Sequence, residues 1–221
     1  MLDVQAVLPD LPFLLLGIPL TLAITAAAFL LGTVAALPMA IIRIAGVPLA
    51  APVVVVWIEF FRTTPPLIHI VWAYYVLPVL FGLRLSALAV VILALAANAS
   101  AQMAEIFRAG IQAVPKGQRE AGMVLGLNAW QRLFDVVLPQ AVRLIMAPTA
   151  NATVSLLKDS SLAALIAVPE LMNRGQILAT QNFRPLEVLT LVAVLYFVMT
   201  WPLALLAGAL ERRSRVAFRG L

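Results

Sequence analysis

Two sets of polar residues recur at helical spacing inside otherwise apolar stretches. Asn98, Gln102 and Glu105 stand at i, i+4 and i+7, which puts all three on one helix face. Asn151, Ser155 and Asp159 stand at i, i+4 and i+8, with Lys158 and Ser160 flanking the last. Amides, hydroxyls, two carboxylates and one ammonium group can hold and release a small zwitterion without making a covalent bond. Such faces also serve as interhelical hydrogen-bonding surfaces that only hold a bundle together. Groups for covalent chemistry are scarce. There is no cysteine, so disulfides and thiolate metal ligands are excluded; His69 is the one histidine, so a two-histidine metal site is excluded too. A Gly-x-Ser-x-Gly elbow and a His-Glu-x-x-His pair are both absent, which removes the parts of an intramembrane hydrolase. No Gly-x-x-x-x-Gly-Lys-Ser/Thr loop is present to cradle nucleotide phosphates. We therefore expect no enzyme activity, no metal and no cofactor in this chain.

The elements that carry these residues belong in lipid. Hydrophobic residues make up 63% of the 221 and charged residues 11%, where a soluble domain has about 25% charged. Five apolar stretches are long enough to cross a bilayer at about 20 residues each. They run from about Leu11 to Ile42, Leu67 to Gly82, Leu85 to Phe107, Ile145 to Val168 and Leu186 to Leu210. No polar linker divides them, so residues 1–221 read as one all-α integral membrane domain with a core of about 17–213. The first stretch is too long for a signal-peptide core and is expected to be retained. Between the first two spans lies the knot Glu59-Phe60-Phe61-Arg62-Thr63-Thr64-Pro65-Pro66. Its paired prolines remove two donors and push Thr64 out of the helical region, so we expect a turn at the membrane surface. His69 is expected to be a packing residue near the start of the second span. Trp57, Trp72, Trp130 and Trp201 read as interface anchors or packing. Residues 169–185 read as a polar loop.

The net charge of +5 needs no nucleic-acid partner, because basic loops also set membrane topology. With the N-terminus outside and five spans, Arg43, Arg62, Arg108, Lys116, Arg119, Arg132, Arg143, Arg212, Arg213, Arg215 and Arg219 fall inside, eleven in all. Arg84, Arg174 and Arg184 fall outside, and Lys158 lies within a span. The acidic start, Asp3 and Asp10, and the basic tail then lie on opposite sides, as five spans require.

The inside loop, about 112–143, holds the most specific string. Pro115 and Gly117 mark a helix start, and Asn128 a helix end or the cap of a further short helix. Glu120-Ala121-Gly122 is followed after three residues by Gly126, and after nine more by Val136-Val137-Leu138-Pro139. This resembles the Glu-Ala-Ala loop of binding-protein-dependent ABC importer permeases, with Gly122 in place of the second alanine. Small residues at 121, 122 and 126 leave one side of a short helix bare for a partner. Three further strings resemble the polar amino-acid branch of that family: Glu59 to Leu67, Ala104 to Ile111 leading into Pro115-Lys116-Gly117-Gln118, and Leu157-Lys158-Asp159-Ser160-Ser161-Leu162 with Pro169-Glu170-Leu171 downstream. Thr63 and Pro66 depart from the branch's usual Gly and Leu, and Gln102 stands where a Tyr is usual.

What the resemblance implies is a type I ABC importer permease in a bacterial inner membrane. It implies an ATPase-coupling loop carried by Gly117, Arg119, Glu120, Ala121, Gly122, Gly126, Leu138 and Pro139. It implies a substrate pathway along Asn98, Gln102, Asn151, Ser155, Lys158, Asp159 and Ser160. The expected partners are cytoplasmic ABC ATPase subunits, which bind the ATP and Mg, a second permease subunit, identical or paralogous, and an extracytoplasmic amino-acid-binding protein. The other reading is an ion- or proton-coupled secondary transporter with Lys158 and Asp159 as a relay; such proteins usually show an internal repeat of spans, and none is visible here.

The orientation is directly testable. Reporter fusions at the two ends should give an extracytoplasmic signal at the N-terminus and a cytoplasmic one at the C-terminus. A cytoplasmic N-terminal signal would contradict five spans.

Overall fold

The computed structural model describes residues 4–218, which form helices joined by short turns, with no strand among them. Asp3 and Arg219, at the two ends of the charge pattern, lie outside the described residues. A 3-10 turn at Val4–Asp10 leads into the short helix α1 (Leu11–Leu15), and α2 (Ile18–Ala45) follows. The first apolar stretch is thus broken at Leu16-Gly17. A Cβ on Gly17 would stand 2.6 Å from the Leu171 Cα, so this glycine lets a distant segment approach.

Next come α3 (Ala50–Thr63) and α4 (Pro66–Phe81), bent by 104° against each other. Then α5 (Ala87–Gln112), capped by the Ser86 hydroxyl, carries the first polar face. The inside loop folds as α6 (Lys116–Val124), a single turn α7 (Ala129–Gln131) and a π-helical turn (Arg132–Val137) that runs directly into α8 (Leu138–Asp159). A 3-10 helix (Ser160–Ile166), α9 (Leu171–Asn182) and α10 (Pro185–Phe218) complete the chain. Four stretches are long and apolar enough to cross a membrane, and five if α3 and α4 together make one broken span.

Three sequence expectations are corrected. The knot at 59–66 is not at the membrane surface. Trp57 Nε1 donates to Ser100 Oγ at 3.1 Å, and Asn98 bonds His69 at 2.9 Å. Asn98 lies 11 residues from one end of α5 and 14 from the other, about 17 and 21 Å at 1.5 Å per residue. The elbow therefore packs against the middle of α5, and with α3 and α4 taken as one broken span the second span begins at Ala50 rather than Leu67. Arg62 is on the elbow, so the inside set of eleven loses it and becomes ten against three. The fourth stretch extends back to Ala129, and the presumed polar loop at 169–185 contains α9.

The hub is α5. Its small residues let α2 pack very closely: an added Cβ at Gly32 would lie 2.5 Å from the Ala99 Cβ and 2.9 Å from the Ala96 carbonyl. Ile24, Ala28, Leu95 and Ala99 form one apolar core there, and Ala36, Ala40, Ile58, Ala101 and Ala104 another nearer the α6 end. Near-zero exposure of Asn98 and Ser100 among these apolar groups is tolerable because both are hydrogen-bonded.

Glycine at 32 is accordingly not replaceable. Gly32→Ala should cost about 1–3 kcal/mol through overpacking, read as a lowered melting temperature of the detergent-solubilised protein. Gly208→Ala, inside α10 and meeting open space, should not lower the melt and should raise it slightly through helix propensity.

Candidate functional site

Asn98, Gln102 and Asp159 come together. With Ala99, Met103, Ala152 and Leu156 they line a narrow cleft of about 10 Å³ between α5 and the end of α8, room for about one water. Asn98 is spent within the protein: its Nδ2 donates to the Ala94 carbonyl at 3.1 Å and faces His69 Nδ1 at 2.9 Å. The carbonyl fixes which end of the amide is the donor, so Nδ1 of His69 accepts and its proton sits on Nε2. Phe60 and Phe61 pack on the imidazole at centroid distances of 5.2 and 4.5 Å.

Glu105, the third member of the α5 face, is also answered inside the protein. It accepts from Arg43 Nη1 at 2.5 Å and from Arg108 Nε at 3.1 and 3.0 Å, with a further contact to Arg108 Nη2. It thereby joins α2 to α5 at the end nearest α6. On α8, Asn151 and Ser155 are exposed and Asp159 is half-buried, while Ser160 is buried and turns its hydroxyl back to the Leu157 carbonyl at 2.7 Å. Adjacent helix positions point about 100° apart. Lys158 accordingly lines a different space, an open cleft of about 470 Å³ between α8, α9 and α10 that also includes Ser161, Tyr196 and Thr200. The two charges of the Lys158-Asp159 pair serve separate clefts.

The inside loop is a folded unit. Pro115, extended at ψ 137, starts α6, and Gly126 ends its turn at φ +74, a backbone conformation that favours glycine. Leu125 N and Leu127 N return to the carbonyls of Ala121 and Gly122 at 3.0 Å each. Asn128 and Gln131 form a reciprocal capping box, 3.0 and 2.9 Å, at the start of α7. Gly122 is buried, whereas Glu120, Ala121, Met123, Val124 and Leu125 are exposed, Val124 at 89% and Leu125 at 77%. Trp130 and Phe134 stack beside them, 5.7 Å apart and also exposed. The loop thus carries an exposed apolar tip among otherwise polar residues.

One residue of functional interest did not stand out in the sequence. Glu170 is fully buried. It accepts from the backbone N–H of Met172 (2.9 Å) and Asn173 (2.8 Å) at the start of α9, and from Tyr196 Oη on α10 at 2.7 Å. Thr21 of α2 accepts from Leu171 N at 3.2 Å, and its own proton lies between the Gly17 carbonyl (3.1 Å) and Glu170 (3.4 Å). One carboxylate thus ties α2, α9 and α10 together at the end of the molecule opposite α6. Glutamate is not a favoured helix cap, and its partners lie 149 and 26 residues away, so local pattern gives no signal beyond the Pro169-Glu170-Leu171 string.

Known proteins fit this geometry. Residues 32–216 match the family described as binding-protein-dependent transport system inner membrane component, and the chain belongs to it. It is a permease subunit with the ABC-importer permease fold. It is 35% identical over 215 residues to the glutamine transport system permease protein GlnP of Escherichia coli (strain K12), covering 97% of this chain and 98% of that one. The L-cystine transport system permease protein TcyB of Bacillus subtilis (strain 168) is 35% identical, over 91% of this chain and 86% of TcyB. In three dimensions the chain superposes with a TM-score of 0.90 on a chain from the crystal structure of an amino acid ABC transporter with histidines, at 32% identity, covering 96% of this chain and 99% of the other.

Burial pushes the Glu170 carboxyl above the usual glutamate range, and its hydrogen bonds to Met172, Tyr196, Asn173 and Thr21 offset only part of this. A carboxyl raised on folding holds its proton more tightly in the folded chain. Its contribution to stability is therefore fullest below the ordinary glutamate value and is lost as pH rises through the raised one. The melting temperature of the solubilised protein should fall across that window, and Glu170→Gln should flatten the dependence.

Proposed function

We propose that this permease takes up a polar amino acid, powered by a separate ATPase that docks on α6, with its N-terminus outside and its C-terminus in the cytoplasm of a bacterial cell. The single observation that carries the docking is the exposed apolar tip Met123-Val124-Leu125 beside Glu120, on a loop whose Glu120, Gly126 and Leu138-Pro139 stand in the family's register. Two permease subunits, identical or paralogous, enclose the path. An extracytoplasmic amino-acid-binding protein delivers substrate to the end where α9 and Glu170 lie. The partner ATPase binds ATP and Mg, and nothing in this chain is needed for hydrolysis itself.

The path runs along the face of α8 that presents Asn151, Ser155 and Asp159, opposite Gln102 of α5. A carboxylate facing hydrocarbon at span depth costs about 2.5–3.5 kcal/mol on insertion scales, so Asp159 faces water, substrate or a partner subunit. Relatives named for glutamine and for L-cystine support an amino-acid substrate of either kind. ATP binding can move the gate only because the ATPase grips α6 differently in its two states. The broken span α3–α4 brings irregular backbone to mid-depth, which membrane proteins tolerate where it lines a cavity or is buried in protein.

The test is purification with the candidate ATPase and reconstitution in liposomes, measuring ATP hydrolysis and uptake over a panel of glutamine, histidine, arginine, glutamate and cystine. One of these should stimulate hydrolysis and accumulate. Glu120→Lys should lower uptake by about 5-fold or more through lost coupling, while membrane insertion stays intact. Asp159→Asn should lower uptake or shift the preferred amino acid, and Asp159→Leu should do so more strongly. Normal uptake by Glu120→Lys would remove α6 as the dock. Normal uptake by Asp159→Leu would make that residue structural.

A further inference from the structure

We infer that Arg132 is a positioning residue that hitches the docking helix α6 to the polar helix α8, and that glycine at 122 is its matched seat. The inference rests on α6 being the ATPase dock and says how its movement reaches the path. Arg132 opens the π-helical turn that continues without a break into α8. Its stem lies across Gly122: an added Cβ at 122 would stand 3.1 Å from Arg132 Cγ and 3.3 Å from Cδ. Its Nη1 then donates to the Leu127 carbonyl at 2.9 Å, and Leu127 N donates to the Gly122 carbonyl at 3.0 Å. Stem contact and two hydrogen bonds close a ring through Gly122, Leu127 and Arg132.

The rest of α6 has little else to hold it. Its outward residues, Glu120 to Leu125 apart from Gly122, are exposed. At its other side Arg119 Nη2 donates to the Ile111 carbonyl at the end of α5. Two arginine side chains therefore link α6 and the turn that closes it to the two helices that carry Gln102 and Asp159. A π turn holds one residue more than an α turn for the same rise; here Leu138 N bonds back to the Leu133 carbonyl. The wider turn starts at Arg132, whose stem is the part that crosses Gly122. The arrangement also bears on the departure from Glu-Ala-Ala: an alanine at 122 would crowd the Arg132 stem, which would have to shift by a few tenths of an ångström.

Helix propensity and the clamp predict opposite signs, which makes the pair testable. Propensity alone has Gly122→Ala strengthening α6 by up to about 1 kcal/mol, whereas the clamp has it weakening the link to α8. The experiment uses the permease–ATPase complex in lipid nanodiscs, with ATP plus vanadate as the probe and hydrogen exchange of the peptides covering the end of α8 as the readout. Wild type should show a nucleotide-dependent change there. Gly122→Ala and Arg132→Ala should each shrink that change by about 3- to 10-fold. In the double variant the two losses should not add, because each breaks the same contact. Arg132→Met, which keeps the stem and loses the donor, should fall between. Additive losses, or a full response in Gly122→Ala and Arg132→Ala, would overturn the clamp. If Arg132→Ala does not assemble, Gly122→Ala and Arg132→Met decide, and a full response in both overturns it. An ATPase that fails to copurify with wild type would instead overturn the docking reading, and the clamp with it.

Discussion

A polar side chain in hydrocarbon has to be answered by something other than lipid, and in this protein that requirement is met around one helix. On α5, Asn98 is answered by His69 of α4, Ser100 by Trp57 of α3, and Glu105 by Arg43 of α2 and Arg108 of its own helix. Each answer brings a different neighbour to a fixed height. The apolar packing follows suit, since Gly32 admits contact only where Ala96, Ala99 and Ser100 present small surfaces. Gln102 alone on that face is left to the narrow cleft it shares with Asp159.

The two ends of the molecule are tied by different chemistry. At one end a buried carboxylate gathers two backbone donors and two hydroxyls from three helices. At the other, guanidinium groups hold backbone carbonyls, Arg119 on Ile111 and Arg132 on Leu127. Carbonyls at helix ends are natural seats for cations. The first tie is dry, and its geometry is set by a cluster of hydrogen bonds that must all be made at once. The second is half-exposed and uses long stems, with Arg119 Nε buried and without a hydrogen-bond partner.

Much of this was legible in the sequence because the relevant signals are short-range. The Gly117 to Pro139 register located α6, and Asn128 was recognised as a possible cap for the next turn; both are observed. The five apolar runs give the spans to within the TM count, with the second emerging as a bent pair. Legibility failed where tertiary partners decide the outcome. Two prolines at 65–66 read as a surface turn; the Asn98–His69 and Trp57–Ser100 bonds set them against the middle of α5 instead. Residues 169–185 looked too polar for a helix, yet α9 is capped by a glutamate whose other partners lie on α2 and α10. Lys158 and Asp159, read as one pair, are split by helix geometry between two clefts. Gly122 in place of the second alanine carries no local signal of the Arg132 stem that lies over it.

The elbow also has a history in the making of the protein. Helix α3 has 14 residues and α4 has 16, each shorter than the ~20 that a free-standing span needs. The group that anchors their junction, Asn98, follows His69 by 29 residues. The broken span therefore leaves the ribosome ahead of its anchor, which is still inside the exit tunnel when His69 emerges. Until α5 enters, His69 has no amide to meet, and the pair has no fixed depth. Integration of the second span is thus completed by the third, and a chain halted between residues 82 and 98 would hold α3 and α4 without the contact that sets their bend.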